Sequence, residues 1–255
     1  MYLKNRFYFI FSFLLFLLFF FAFNYIFSSS NSLSASVLLS QNQSKNQSIA
    51  TGFFINDSGY LVTSNHVIKD KSKIFVLVKK TKAFKATIIK VDEQLDLALL
   101  KINSITPYLY LAHSKGVPAG MDVVTIGYPQ AGLLGLNPKI TRGIVNSSSG
   151  IKDNKNTFQF SAEVQQGNSG GPLIAPGGTV VGVVQAKLDA LKLSEKTNDL
   201  TQNVNFATKS AVLLDFLKGI STIPATQPLL YDQPMHAVRI YDETKGAIIP
   251  IVAKN

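Results

Sequence analysis

The run Gly167-Asn168-Ser169-Gly170-Gly171 sets a serine among glycines at −2, +1 and +2. Glycine admits φ > 0 and lets another chain or a ligand come close. A loop of this kind can aim the amides of Gly167 and Ser169 at one point while leaving the Ser169 hydroxyl exposed. That is the arrangement a nucleophile beside an oxyanion hole requires. A tight glycine turn between two strands uses the same residues. The chemical reading therefore needs a base for the serine and a group that orients the base.

The chain has three histidines, His66, His113 and His236. His66 ends the run Val62-Thr63-Ser64-Asn65-His66, where an apolar strand gives way to small polar residues. A histidine there is held rigidly and still faces a cleft, which makes it the candidate base. His113 falls in a linker and His236 in the tail, both poor settings for a rigid site. A carboxylate on the other ring nitrogen fixes the tautomer and stabilises the imidazolium. Asp96 suits that part, because it opens the apolar run Leu97-Ala98-Leu99-Leu100 and an acid there is costly to bury unpaired. Asp92 and Glu93 sit in a more polar, turn-like context. Each residue also has a bland alternative: a satisfied core or surface histidine for His66, a strand-start turn for Asp96.

The elements that would position these groups are short and β-rich. IATGFFI, YLVTSNHVI, KIFVLVKK, FKATIIKV and DLALLKI follow one another from Ser48, separated by turn signals such as Asn56-Asp57-Ser58-Gly59. Residues 103–120 carry Pro107, Pro118 and Gly120 and read as a connection. A second set follows: MDVVTIGYP, KITRGIVNSS, FQFSAEV, GPLIAP, TVVGVVQAK and VNFAT. SAVLLDFLKGI (210–220) has helical spacing of its apolar residues and closes with glycine. The expected architecture is two all-β halves, about 48–106 and 119–220, with a short C-terminal helix. Residues 221–255 contain four prolines and offer two short strands, HAVRIY and AIIPIV, as an extension packed on the core or partly loose.

Composition bounds the rest. There is no cysteine, so disulfides, zinc–thiolate sites and thiol catalysis are excluded. Residues 7–27, FYFIFSFLLFLLFFFAFNYIF, hold 10 of the 18 phenylalanines and no charge. As a helix rising about 1.5 Å per residue this stretch would cross a hydrocarbon core of about 30 Å. It reads as an uncleaved signal anchor; SLSAS (32–36) offers a weak cleavage site for the alternative, a removed signal peptide. Lys4 and Arg6 precede it and the next basic residue is Lys45, so the N-terminus stays cytoplasmic and the remainder is exported. Residues 28–47 read as a flexible tether. The formal charge of +10 falls only to +8 without Lys4 and Arg6, so the basic balance belongs to the exported part. Lysines are dense over 71–90, most simply as a solvated face, and no motif points to nucleic acid.

Taken in order, ATGFFINDSGYLVTSNHVI, DLALLKI, VVTIGYP and QQGNSGGPL resemble the trypsin-like serine peptidases of the bacterial HtrA/Deg type, over about Ile49–Leu217. The resemblance implies His66 as general base, Asp96 as orienting acid, Ser169 as nucleophile and the Gly167 and Ser169 amides as oxyanion hole. It implies two six-stranded antiparallel β-barrels with the site between them, polypeptide substrates, no metal or organic cofactor, and a bacterial envelope location, anchored in the inner membrane or exported after signal cleavage. Homotrimers are common in that family, and Phe53 and Phe54 are candidates for such an interface or for a barrel core.

Three departures stand out. The tail is too short for the PDZ domains that usually follow. Glu163 stands six residues before Ser169, where many trypsin-like enzymes place the floor of the primary specificity pocket, and an acid there favours Lys or Arg in the substrate. An outward or lysine-paired Glu163 is the alternative. Asn168, usual for the family, cannot form the ionic pair with a new N-terminus that activates trypsin-like zymogens. Ordering of the loops Ser147–Asn156 and Ala186–Asn203 is then the expected control, with ordinary mobile surface loops as the alternative. A catalytically latent, protease-fold binding or scaffold protein remains the alternative to an endopeptidase.

Overall fold

A computed structural model describes residues 33–34, 47–79, 82–114, 116–185, 203–221 and 223–255. The apolar stretch 7–27, most of the tether and all of the second control loop except Asn203 lie outside these residues. Among the described residues no helix is long and apolar enough to cross a membrane.

The first sheet gathers β1 (Leu33–Ser34), β2 (Gln47–Phe54), β3 (Tyr60–Thr63), β4 (Lys73–Val78), β5 (Lys82–Lys85), β6 (Thr87–Asp92), β7 (Leu97–Lys101) and β16 (Ile248–Lys254). Its order is β1-β5-β4-β16-β2-β3-β7-β6. No ladder joins β1 to β6, so this sheet is a half-barrel. The second sheet gathers β8 (Leu111–His113), β9 (Asp122–Gly127), β10 (Lys139–Ser147), β11 (Thr157–Phe160), β12 (Pro172–Ile174), β13 (Val180–Gln185), β14 (Asn205–Lys209) and β15 (Thr226–Pro228). The order β12-β9-β10-β11-β14-β13, with β12 also paired to β13, closes a six-stranded barrel; β8 and β15 lie outside it. The expected all-β halves are present, but only the second is a closed barrel.

Period-2 patterning explains where each strand points. In β16, Ile249, Ile251 and Ala253 enter the half-barrel core beside Phe54, Leu61 and Leu100. The alternate residue Ile248 joins the cluster between the sheets, with Phe53, Val62, Leu99, Ile126 and Val183. Phe158, Phe160, Val181 and Val184 fill the closed barrel. Phe53 and Phe54 are both 0% exposed and so belong to the core, not to a subunit interface.

Two expectations about the tail change. HAVRIY is helical from Ala237 onward, in α4 (Ala237–Thr244), which follows α1 (Asn65–Ile68), α2 (Ala131–Leu134) and α3 (Ser210–Phe216). Ile240 and Thr244, four apart, are its buried residues, which is helix spacing. AIIPIV is a strand, but not a peripheral one: β16 lies between β2 and β4 and pairs with both. The C-terminal residues therefore complete the first sheet. Pro250, opposite Thr51, would ordinarily argue against an interior strand. The Thr51 N–H points instead to the Ser169 carbonyl, at 3.1 Å. Positions 51 and 250 thus form a non-hydrogen-bonded pair, and the proline breaks no bond of this ladder.

Candidate active site

His66 sits in α1, the single turn that follows β3. The short connection into β7 supplies Asp96, whose φ of +52° is left-handed, a conformation that aspartate tolerates better than most residues. That turn brings three of its acceptors onto the start of α1. The Asn65 N–H donates to the Asp96 carbonyl at 3.2 Å, the His66 N–H to Asp96 Oδ1 at 2.8 Å, and His66 Nδ1 lies 2.7 Å from Asp96 Oδ2. One carboxylate so fixes the histidine's backbone and ring together, and leaves Nε2 as the ring nitrogen able to receive a proton. The second sheet braces the connection: the Leu95 carbonyl accepts from Gln185 Nε2 at 3.4 Å and Thr208 Oγ1 at 3.3 Å.

Ser169 is 5% exposed and belongs to the turn that enters β12. Its neighbour Gly170 has φ +78°, and a Cβ there would lie 2.3 Å from Thr63 Oγ1 and 2.6 Å from the Ser64 amide. Only glycine allows this approach, and it sets the serine loop against the residues that lead into His66. The Gly170 N–H donates to the Val184 carbonyl, tying the loop to its own barrel as well.

The loop amides are the informative part. The Gln166 carbonyl accepts the Gln130 N–H at 2.8 Å. In a trans peptide the N–H of the next residue points the opposite way, so Gly167 N–H turns away from Gln130. Among the described residues neither the Gly167 nor the Ser169 amide has an acceptor within the protein, whereas the Asn168 and Gly171 amides do. The serine loop thus has two amides, Gly167 and Ser169, without a protein acceptor among the described residues.

The other candidates lie apart. His113 ends β8 and His236 precedes α4, both exposed. Glu163 is exposed, and its side chain has no hydrogen bond or ion pair among the described residues; its carbonyl accepts from Thr141 Oγ1 at 2.7 Å. Within the loop Ser147–Asn156, residues 151–153 form one 3-10 turn. Sequence reasoning missed Thr51, Gln130 and Gln185. The available signal for Thr51 was a polar residue within the apolar strand IATGFFI.

The family described as "Trypsin-like peptidase domain" matches residues 50–183. The chain belongs to this family. Its relatives are of the HtrA type. Over 194 residues it is 42% identical to uncharacterized protein y4bJ of Sinorhizobium fredii, covering 75% of this chain and 31% of that protein. It is 37% identical over 146 residues to a probable periplasmic serine endoprotease, DegP-like, of Chlamydia pneumoniae, covering 55% and 29%. The solved structure of the HtrA-type protease AlgW with decapeptide superposes with a TM-score of 0.56 at 25% identity, over 66% of this chain and 50% of that one. The HtrA-type domain described here thus spans about a third of the length of those two relatives.

Proposed function

We propose that this chain is a serine endopeptidase acting on polypeptides through an acyl-enzyme at Ser169. The observation that carries the reading is the pair of unengaged amides, Gly167 and Ser169, in a loop packed against Thr63 and Ser64, the residues that lead into the Asp96-held His66. In this scheme the Ser169 hydroxyl attacks the scissile carbonyl and gives its proton to His66 Nε2. The oxyanion accepts from the two amides, and the imidazolium, held by Asp96, returns the proton to the departing amine. Water, deprotonated by the same imidazole, then releases the acyl group. Preformed donors favour catalysis because they need no reorientation as charge develops, an effect of about 10²–10³ in kcat per donor.

Labelling by a fluorophosphonate and hydrolysis of an unfolded protein test this. Ser169→Ala abolishes both while the thermal midpoint stays near wild type. A wild-type chain that takes no Ser169-dependent label is the latent binding or scaffold protein instead. Glu163 is exposed, which matches the outward alternative; its part in binding a cationic P1 side chain is proposed from its place six residues before Ser169. Cleavage-site profiling of a peptide library then returns Lys or Arg at P1; small aliphatic residues there would remove Glu163 from the reading.

We further infer an envelope enzyme whose residues 7–27 anchor it in the membrane, on the strength of 21 consecutive uncharged residues. Carbonate-resistant membrane fractionation is expected for the full chain, and recovery in the soluble fraction would sink the anchor. A homotrimer, expected from the family, is checked by native mass.

A further inference from the structure

We infer that Thr51 is a positioning residue for the oxyanion loop, an inference that rests on the peptidase reading above. Thr51 lies in β2, in a strand whose neighbours Ala50, Phe53 and Phe54 are apolar and buried, and it is itself 0% exposed. A hydroxyl buried without partners is strongly disfavoured. This one is fully engaged. Its Oγ1 donates to the Gly167 carbonyl at 2.7 Å and accepts the Tyr128 N–H at 3.0 Å. Its backbone N–H donates to the Ser169 carbonyl at 3.1 Å, and its own carbonyl accepts from Thr63 Oγ1 at 2.8 Å.

A single residue of the half-barrel therefore grips the nucleophile loop of the other sheet at both Gly167 and Ser169. The side-chain bond has a distinct consequence. Gly167 has φ +106°, a region open only to glycine, so the peptides on either side of it can rotate at low cost. Gln130 N–H fixes the peptide before Gly167 and the Thr51 hydroxyl fixes the one after it. With both held, the Gly167 N–H stays aimed into the cleft. Without the hydroxyl, the Gly167 carbonyl and the Tyr128 amide lose their partner in a packed junction, where a Cβ on Gly127 would already touch Thr51 Oγ1 at 2.8 Å. Rotation of the peptide after Gly167 is then the readiest relief; it leaves the Gly167 N–H held from one side only and shifts the Ser169 amide that follows.

The test compares Thr51→Val, which keeps the shape and removes the hydroxyl, with Thr51→Ser, which keeps the hydroxyl. Both are made in the full chain. The readouts are kcat and KM on one peptide substrate, the rate of fluorophosphonate acylation, and the thermal midpoint. We expect Thr51→Val to lower kcat and acylation about 10- to 100-fold, less than outright removal of a donor. KM stays within about two-fold, and Thr51→Ser stays within about three-fold of wild type in every parameter. If Thr51→Val does not fold, Thr51→Ala at reduced temperature gives the same comparison. Equal losses in the Val and Ser variants, a loss that vanishes on cooling well below the midpoint, or a rise in KM alone would overturn the role. The two readings fail differently. A wild type with no Ser169-dependent label removes the peptidase and this inference together; an active wild type with an equally active Thr51→Val removes only the inference.

Discussion

The two sheets carry the site in different ways. The closed barrel is built from β9 to β14, a stretch contiguous in sequence, and it contributes one loop, Gly167–Gly171. The half-barrel is assembled from residues 47–101 together with β16, more than 140 residues further on, and it contributes His66, Asp96 and Thr51. Without β16 no ladder joins β2 to β4. The residue opposite Thr51 is Pro250, so the strand that grips the nucleophile loop is itself flanked by the tail. The sheet that supplies His66, Asp96 and Thr51 is thus the one that depends on residues 248–254.

Removing residues 248–255 breaks this comparison most severely. Ile248, Ile249, Ile251 and Val252 are at most 3% exposed, and burying each contributes about 1.5–3 kcal/mol. Their sum matches the whole stability of an ordinary domain, about 5–15 kcal/mol. The truncated chain is expected to lose activity, with amide-exchange protection lost in β2–β4 first; a peptide of residues 247–255 added in trans restores some labelling of Ser169. Retained protection in β2 and β4 would show that the half-barrel stands without its tail.

Asp96→Asn comes next. It still offers an oxygen to the His66 backbone but presents an amide where the ring needs a carboxylate, and a loss of about 10³–10⁴ in kcat is expected with little change in thermal midpoint. A loss below tenfold would give the acid's part to another group.

Paired glycine variants sharpen the contrast between junction and periphery. Gly170→Ala must accommodate a Cβ 2.3 Å from Thr63 Oγ1 at φ +78°, whereas Gly178→Ala at φ +82° meets open space. Chemical denaturation should show a cost of about 3 kcal/mol or more for the first and about 1–2 kcal/mol for the second. Equal costs would mean that the sheets do not meet as tightly as the geometry requires.

The smallest effect is at Tyr128, whose hydroxyl donates to the Ile248 carbonyl at 2.9 Å. Burial, with a lesser contribution from Tyr241, raises its pKa above the usual 10.0. A raised pKa means that the folded state keeps the neutral phenol, so its stabilisation is complete below pH 10 and declines above it as the unfolded chain ionises. Tyr128→Phe is expected to cost about 1 kcal/mol at neutral pH and to flatten part of the loss of stability above pH 10. A pH profile identical to wild type would contradict this.

Much of the site was legible because its residue types are uncommon in combination. GNSGG alone is also a glycine turn, but His66 and Asp96 stand at the edges of apolar runs that fix them as strand ends, and the three occur together. The tail was legible only in part, for definite reasons. Six residues, HAVRIY, are too few to separate a period of 2 from one of 3.6, and the spacing of AIIPIV says that it is a strand but not which strands it joins. Thr51 was passed over because a threonine suits a β-strand on propensity alone.

By itself the sequence determined the all-β character and the chemistry on offer: a serine between glycines, one well-placed histidine, and one carboxylate at the head of an apolar run. Periodicity and residue type act over a few neighbouring positions, so they can be read without coordinates. Tertiary structure alone decided which strand completes the first sheet and which hydroxyl holds the Gly167 carbonyl. Both are pairings across more than 100 residues, and a chain's spacing carries no record of what its distant parts will meet.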